Sequence, residues 1–314
     1  MSSRTMNSSN TIRPILVTGS HRSGSTWVGQ VLSQSKELGY MHEPFNPIYP
    51  SVKTAPIDIW FLYISQHNGK AYKEYFQKVL NWDYQSLKRL SGIGNSFQAK
   101  MWLKYMGIFS KNRSAGKVPL MKDPIAFFSA PWLASEFDMQ VVSLVRHPAA
   151  FVYSLKRKNW NFPFKHLLQQ TELMQDWLED FREDIGRLAA EKKDIIEQAV
   201  LFWRLLYSVQ LKFQEKYPHW SYLKHEDLSM KPEAEFERLF EALGLDYSAE
   251  IRDYVKKSSS SENPGGTTGA EEQLKRDSAA NTKYWKAKMT SAEIEKVKEL
   301  TKDIWPSFYG EADW

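Results

Sequence analysis

Apolar runs alternate with amphipathic stretches along the chain, and this alternation predicts strands separated by helices. PILVTG, residues 14–19, is a short apolar run that ends at a glycine, which is typical of a buried strand. MQVVSLVRHP, residues 139–148, gives the strongest strand pattern, because it is β-branched, unbroken and ended by a proline. Further strands are predicted in LGYMHEPFNP (38–47), VPLMKDP (118–124) and WSYLKHEDL (220–228).

Helical periodicity fills most of the chain between these strands. The apolar residues after the first strand fall on one helical face, namely Trp27, Val28, Val31 and Leu32. The stretch 170–216 predicts two long amphipathic helices. A later helix is predicted from residue 232 onward, and Gly244 is expected to cap its carboxyl end. Helical patterns also cover 56–112, 232–245 and 289–305.

Strands that alternate with helices predict an α/β protein with a P-loop-like three-layer fold, in which helices flank a central, mainly parallel sheet. Ligands of such sheets gather at the carboxyl ends of the strands. We expect residues 1–13 to form a disordered leader and 14–314 to form a single domain. The low-complexity segment 258–270 is expected to be flexible within that domain.

Composition narrows the class of protein. The chain has 314 residues and a net charge of +5, an excess too small to indicate a nucleic acid partner. It contains no cysteine, which excludes disulfides and thiolate metal sites. We find neither a signal peptide nor a run of about 18 apolar residues that would span a membrane. We therefore expect a cytoplasmic protein, or else a catalytic domain cut from an anchored parent.

The loop after the first strand has the form of a phosphate-binding loop without its lysine. Gly19 and Gly24 occupy the two glycine positions of G-x-x-x-x-G-K-[ST], but Ser25 stands in place of the lysine and Thr26 follows it. Backbone N–H groups at a glycine turn that leads into a helix form an anion site. Arg22 can replace the lysine and bind an oxyanion through two N–H groups.

A second candidate anion site follows the strongest strand. Arg146 ends that strand, and Ser154 comes eight residues later. If Pro148 begins a helix, Ser154 lies about two turns into it. Its hydroxyl would then be able to share an anion with Arg146 at the ligand edge of the sheet.

Together these features resemble the sulfotransferases that use 3′-phosphoadenosine 5′-phosphosulfate (PAPS). The segments RSGS, VGQVLSQ and EP resemble those of carbohydrate sulfotransferases. A glutamate at this distance from the loop, followed later by Lys122-Asp123-Pro124, is similar to tyrosylprotein sulfotransferases. YLKHEDL takes the place of a Tyr-Glu-Asp-Leu segment that is common in sulfotransferases. The similarity covers residues 14–45, 118–160 and 218–245.

The resemblance implies which residues bind the nucleotide. Arg146 and Ser154 would hold the 3′-phosphate, and His225 would replace an aromatic residue that faces the adenine. The 5′-phosphosulfate would bind to the loop residues Arg22, Ser23, Gly24, Ser25, Thr26 and Trp27. PAPS would be the only cofactor, without a metal, and the acceptor would be a hydroxyl of a carbohydrate or glycolipid. No nucleic acid beyond this nucleotide is implied.

Glu43 is the predicted catalytic base, because it follows a short strand and should lie at the ligand edge. His42 is the rival base, with a pKa better suited to neutral pH. Neighbours in a strand point to opposite faces, so we expect at most one of the two to face the substrate, and we assign His42 to the opposite side. Lys122 would stabilise the charge on the bridging oxygen as the S–O bond breaks. Arg22 of the loop is the third predicted catalytic residue. His21 is a weaker candidate, for which hydrogen bonding within the loop is expected.

Two other functions are consistent with a glycine loop. An ATP-using P-loop kinase would need a magnesium-binding acid near the loop, and Asp123 is the obvious candidate. A nucleotide-binding module without catalysis would need no base. The late basic stretch KRDSAANTKYWKAK, residues 275–288, is expected to form a lid over the nucleotide, as the resemblance implies.

Overall fold

Five parallel strands form one sheet in the order β2-β3-β1-β4-β5. The computed structural model describes residues 12–48, 57–84, 93–191, 194–263 and 277–314. The predicted α/β class and all five predicted strands are confirmed. The strands are β1 (Ile15–Gly19), β2 (Leu38–His42), β3 (Val118–Lys122), β4 (Gln140–Val145) and β5 (Ser221–Lys224).

The strand register aligns the carboxyl ends of the strands at one edge. Lys122 pairs with Val17 of β1 and with His42 of β2. On the other side of β1, Gly19 pairs with Leu144, and β4 ends beside Lys224 of β5. The residues that directly follow the strands therefore meet along a single edge, where α/β sheets bind their ligands.

Helices cover both faces of the sheet. Short 3₁₀ helices occur at Pro124–Ser129, Glu179–Phe181, Tyr284–Ala287, Trp305–Ser307 and Glu311–Asp313. The α-helices of the described residues are α1 (Ser25–Leu32), α2 (Lys70–Leu80), α3 (Ser96–Ser114), α4 (Ala130–Phe137), α5 (Pro148–Lys158), α6 (Lys165–Leu168), α7 (Thr171–Leu173), α8 (Arg182–Ala190), α9 (Ile195–Lys216), α10 (His225–Met230), α11 (Pro232–Ala242), α12 (Ala249–Ser259), α13 (Ser278–Thr282) and α14 (Ser291–Leu300).

Side chains of each strand alternate between two apolar cores. Ile15 and Val17 of β1 pack with α1, α11 and α12, whereas Leu16 points into the larger core on the other face. The long helix α9 belongs to this larger core, which also contains most of the buried aromatic side chains. Strands β1, β3 and β4 are buried on both faces along almost their whole length, which explains their apolar sequences, whereas β5 is half-buried.

The helical predictions are partly wrong in 170–216. One long helix, α9, is present there, but 171–190 is a series of short helices with a π-helical turn at Met174–Leu178. Side chains of this region bind the non-helical segment 57–69, since Tyr63 donates its hydroxyl to Asp176 and its backbone N–H to Gln170. The apolar periodicity therefore reflects the burial of side chains such as Leu173, Leu178 and Ile185 in the larger core and not a continuous helix.

Helix ends agree better with the sequence. Gly244 has a φ of 70° and directly follows Leu243, the C-cap residue of α11, as its predicted capping role requires. Helix α14 begins with a capping box of Thr290 and Glu293 but ends earlier than predicted. Of the predicted flexible segment, residues 258 and 259 end α12, and 264–270 lie outside the described residues, as do residues 1–11 of the leader. Within the described ranges, no helix is long and apolar enough to cross a membrane.

Candidate active site

The loop after β1 turns sharply at two residues with positive φ. Arg22 has a φ of 69° and Gly24 a φ of 96°, and α1 begins at the next residue, Ser25. A Cβ atom at Gly24 would lie 2.5 Å from Nδ1 of His225, so no side chain fits there. The second glycine of the loop is thus required both by its backbone conformation and by the close approach of α10.

An open cleft lies over this loop. Eight of the nine residues predicted to bind the nucleotide line it: Arg22, Gly24, Ser25, Thr26, Trp27, Arg146, Ser154 and His225. Ser23 is the exception, because its hydroxyl is buried and donates to the carbonyl oxygen of Ser20 at 2.6 Å. The Ser23 side chain stabilises the turn and does not line the cleft.

The two candidate anion sites adjoin each other. Nε of Arg22 donates to Oγ of Ser154 at 3.1 Å, and a guanidinium nitrogen of Arg146 donates to the carbonyl oxygen of Arg22 at 2.6 Å. Pro148 begins α5 as predicted, and Ser154 lies in its second turn. Strand β4 and helix α5 therefore connect to the glycine loop through direct hydrogen bonds.

Glu43 and Lys122 form an ion pair at the ends of β2 and β3. The Lys122 side chain is only 1% exposed, and its Nζ lies 2.5 Å from Oε1 of Glu43. Asn46 donates to the other carboxylate oxygen at 2.8 Å. Burial alone would raise the pKa of Glu43, but Lys122, His42 and Asn46 together lower it below its usual value. Glu43 is therefore ionised at neutral pH and is oriented by two donors.

His42 lies on the same side as Glu43, which corrects the expectation from strand alternation. Nε2 of His42 is 3.8 Å from Oε1 of Glu43. Strand β2 ends at His42, and Glu43 has a φ of 46°, so the alternation of an extended strand does not apply to it. Burial and the charge of Lys122 lower the pKa of His42 to about 4. Its imidazole is neutral at physiological pH.

His21 belongs to an aromatic cluster beside the loop. Its ring stacks on Phe202 at a centroid distance of 5.2 Å and lies 4.5 Å from the ring of Trp160. Burial and the neighbouring Arg22 lower the pKa of His21 to about 3. The ring is thus held as a neutral, packed group.

Asp123 supports the backbone at the end of β3. Its carboxyl accepts the N–H groups of Phe45 at 2.6 Å and Ile125 at 3.0 Å. Burial and the charge of Glu43 raise the pKa of Asp123 to about 8. Both oxygens are occupied and the group is poorly ionised, so Asp123 is unsuited to the magnesium role that a kinase would require.

The family model described as "Sulfotransferase family" matches residues 14–249. The chain belongs to the sulfotransferase family. The predictions of a sulfotransferase and of PAPS as its donor are thereby confirmed. The matched residues include the glycine loop, Glu43, Lys122, Arg146, and the end of β5.

Several solved sulfotransferases are similar to this sulfotransferase. The sulfotransferase domain from the curacin biosynthetic pathway has 16% identity and a TM-score of 0.49, over 94% of this chain and 99% of that one. Mouse sulfotransferase SULT7A1, complexed with PAP, has 12% identity and a TM-score of 0.47, over 96% of this chain and 86% of that one. Sulfotransferase STF9 from Mycobacterium avium has 13% identity and a TM-score of 0.45, over 95% of this chain and 77% of that one. No curated protein sequence matches the chain.

The sequence did not reveal several residues that line the cleft of this sulfotransferase. Arg157 is three residues after Ser154 on α5, and this helical spacing was a usable signal. Trp27 donates its indole N–H to Ser258 at 3.0 Å, a contact between residues 231 positions apart that no local pattern reveals. The late stretch also contributes, through Ser278, Asn281, Tyr284 and Trp285. The first two residues of this late basic stretch (275–288), 275 and 276, lie outside the described part of the chain.

Proposed function

We propose that this sulfotransferase moves a sulfuryl group from PAPS to a hydroxyl of a carbohydrate or glycolipid, with Glu43 as the base. Family membership gives the reaction class, and the assignment of residues and acceptor is our proposal. One observation carries it: an ionised carboxylate paired with a buried lysine lies at the same sheet edge as an arginine-lined cleft. A general base and an electrostatic stabiliser are thus available beside an anion site.

The cleft supports nucleotide binding through its charge. Arg146 and Ser154 would hold the 3′-phosphate, and Arg157 adds a further cation on the same helix face. The loop backbone, Arg22 and the hydroxyls of Ser25 and Thr26 would hold the 5′-phosphosulfate. The hydrogen bond from Arg22 to Ser154 supports a single nucleotide that bridges both sites, because it brings them into contact. His225, which packs on Gly24, would face the adenine with Trp27 nearby.

The chemical step follows from the Glu43–Lys122 pair. Glu43 takes the proton of the acceptor hydroxyl, and the acceptor oxygen forms a bond to sulfur. The bond between sulfur and the bridging phosphate oxygen breaks, its electron pair stays on that oxygen, and adenosine 3′,5′-bisphosphate (PAP) leaves. Lys122 stabilises the negative charge that develops on the bridging oxygen. As the ammonium moves toward that charge, Glu43 loses the partner that lowers its pKa and becomes a stronger base.

An aromatic side chain near the base supports a sugar-bearing acceptor. Trp160 is 39% exposed and its ring lies 4.5 Å from that of His21, which is close enough to Glu43 to experience the charge of its carboxylate. A partly exposed indole near the base offers a flat apolar surface to a sugar ring.

We also propose that residues 14–314 form one domain and that the protein is cytoplasmic.

Calorimetric titration with PAP and with ATP–Mg²⁺ tests this function. We expect PAP to bind more tightly than ATP–Mg²⁺, because the cleft offers arginines for a 3′-phosphate and Asp123 is occupied by backbone N–H groups. Adenosine 5′-phosphosulfate, which lacks the 3′-phosphate, should bind more weakly than PAPS by about tenfold or more. Tighter binding of ATP–Mg²⁺ than of PAP, with magnesium-dependent hydrolysis, would instead indicate the kinase.

A further inference from the structure

Helix α3 runs along the edge strand β2 in the opposite direction and projects beyond its catalytic end. A Cβ atom on Gly39, early in β2, would lie 2.9 Å from the side chain of Asn112, late in α3. Near the other end of β2, the charge of Lys104 acts on His42. The first turns of α3 therefore lie past the carboxyl end of β2, which Glu43 directly follows. At 1.5 Å per residue, Phe97 lies about 10 Å along the helix from Lys104.

The solvent side of α3 combines lysines with large apolar side chains. Lys100, Lys104 and Lys111 are exposed and share one helix face, at positions i, i+4 and i+11. Phe97 and Leu103 flank this line and are 66% and 56% exposed. We call these five residues the lysine face. Ile48, five residues after Glu43, is also exposed.

The region around α3 is strongly basic. Residues 93–121 contain five lysines and arginines and no aspartate or glutamate. A second stretch without acidic residues, 139–171, contains five more basic residues, two of which, Arg146 and Arg157, line the cleft. The solvent side of α3 is therefore a basic surface separate from the basic residues of the cleft.

We propose that the lysine face binds an anionic lipid surface and that the acceptor hydroxyl is carried by a lipid in that surface. The second half of this proposal rests on the proposed sulfuryl transfer. Lysines attract the headgroups of anionic lipids, and Phe97 and Leu103 enter the boundary between headgroups and acyl chains. An anionic polysaccharide would satisfy the lysines equally well, but it would leave these two apolar side chains in water. The helix lies on the surface and does not span it.

Vesicle co-sedimentation of the full chain tests the binding without PAPS or acceptor. The vesicles contain phosphatidylcholine alone or with phosphatidylserine, and heparin is the polysaccharide control. The lysine variant is K100Q/K104Q/K111Q, and its matched control is K212Q/K231Q/K302Q, which removes the same charge from exposed sites elsewhere. The apolar variant is F97S/L103S, and its control is M230S/L300S, two other exposed apolar residues.

We expect the wild type to bind only vesicles that contain phosphatidylserine, and more weakly as salt rises. Each lysine should contribute about fivefold, so the lysine variant should bind about 100-fold more weakly than its control. The apolar variant should also bind more weakly than its control. Equal losses in a variant and its control would overturn the proposal, and so would binding to heparin without binding to vesicles.

The same measurement separates this proposal from the proposed function. Vesicle binding without sulfuryl transfer in any assay would leave the lysine face intact and reject the proposed chemistry. Transfer to soluble acceptors by a protein that never binds vesicles would reject the lysine face and leave the chemistry intact.

Discussion

The Lys122 ammonium is almost fully buried, and Glu43 is its counterion. Two buried charges in contact are costly to separate, because removal of one leaves the other uncompensated. The backbone supports the pair directly, since the N–H of Glu43 donates to the carbonyl oxygen of Lys122 at 2.9 Å. Glu43 adopts a left-handed φ of 46° at this position. The residue that we propose as the base is thus also the counterion of a buried lysine.

Glu43→Gln should abolish sulfuryl transfer and leave PAP affinity nearly unchanged. The amide keeps the shape of the carboxylate but is far too weak a base, so single-turnover transfer from labelled PAPS should fall by ~10²-fold or more. His42→Asn should cost much less. The reason is that, in this proposal, the neutral ring of His42 only adjoins the base, 3.8 Å from Oε1 of Glu43, and does not itself take the proton.

Two controls accompany this comparison. Thermal unfolding must show that Glu43→Gln is folded, since it leaves Lys122 without its counterion at a cost of up to ~3–5 kcal/mol. Calorimetric PAP binding supplies a second measure of an intact cleft. A dead His42 variant beside an active Glu43 variant would transfer the role of base to the histidine.

The pH dependence of the reaction should lack a step near pH 6.5. Glu43 must be ionised to act as a base, and its pKa lies below the usual value of a glutamate. Activity should therefore persist as the pH falls through 6.5 and decline only below the ordinary range of glutamate, near pH 4.5. The profile of kcat/KM for a soluble acceptor measures this in the free enzyme. An acid limb near 6.5 would indicate a histidine base with an ordinary pKa.

At the scale of elements, the unit of β4 and α5 forms one side of the nucleotide cleft. Arg146 follows β4, and Ser154 and Arg157 lie on consecutive turns of α5. Because Arg146 also donates to the backbone of Arg22, this unit helps to fix the conformation of the glycine loop. The strand, the helix and the loop should therefore act together when an anion binds.

Arg146→Ala and Ser154→Ala should both weaken PAP binding, the arginine more strongly. Charge-assisted hydrogen bonds contribute ~1.5–3 kcal/mol and neutral ones ~0.5–1.5 kcal/mol, which isothermal titration calorimetry resolves. Arg204→Ala and Ser208→Ala are matched controls on α9. Arg204 donates to Asp303, and Ser208 donates to the carbonyl oxygen of Leu205. Unchanged PAP affinity in folded Arg146 and Ser154 variants would reject the assignment of the 3′-phosphate site.

Local sequence patterns predicted the elements better than the contacts between them. Strands β1, β3 and β4 were predictable because buried parallel strands have apolar sequences. The parallel order of the sheet brings Glu43, Lys122 and Arg146 to one edge. The position of His42 was not predictable, because it depends on the positive φ of Glu43. The inward hydroxyl of Ser23 likewise depends on the geometry of the turn.

At the scale of the whole molecule, the cleft combines segments from opposite ends of the sequence. The glycine loop and α1 line it, and so do residues of α12, α13 and the following 3₁₀ helix. Trp27 contacts Ser258, and Ser278 in turn donates to the carbonyl oxygen of Ser229 at 2.7 Å. Distant segments are therefore linked by side-chain hydrogen bonds before any ligand binds.

PAP should slow hydrogen exchange at both ends of the chain at once. We expect protection of peptides that cover residues 19–28 and 278–288, because both segments line the same cleft. PAP at 100 times its Kd stabilises the bound state by about 2.7 kcal/mol, so openings that release it should become up to ~100-fold rarer. Arg146→Ala at the same PAP concentration should show less protection in both segments. Protection of residues 19–28 alone would reject the late stretch as a lid, whereas protection of both segments in the wild type and weaker protection of both in the variant would support it.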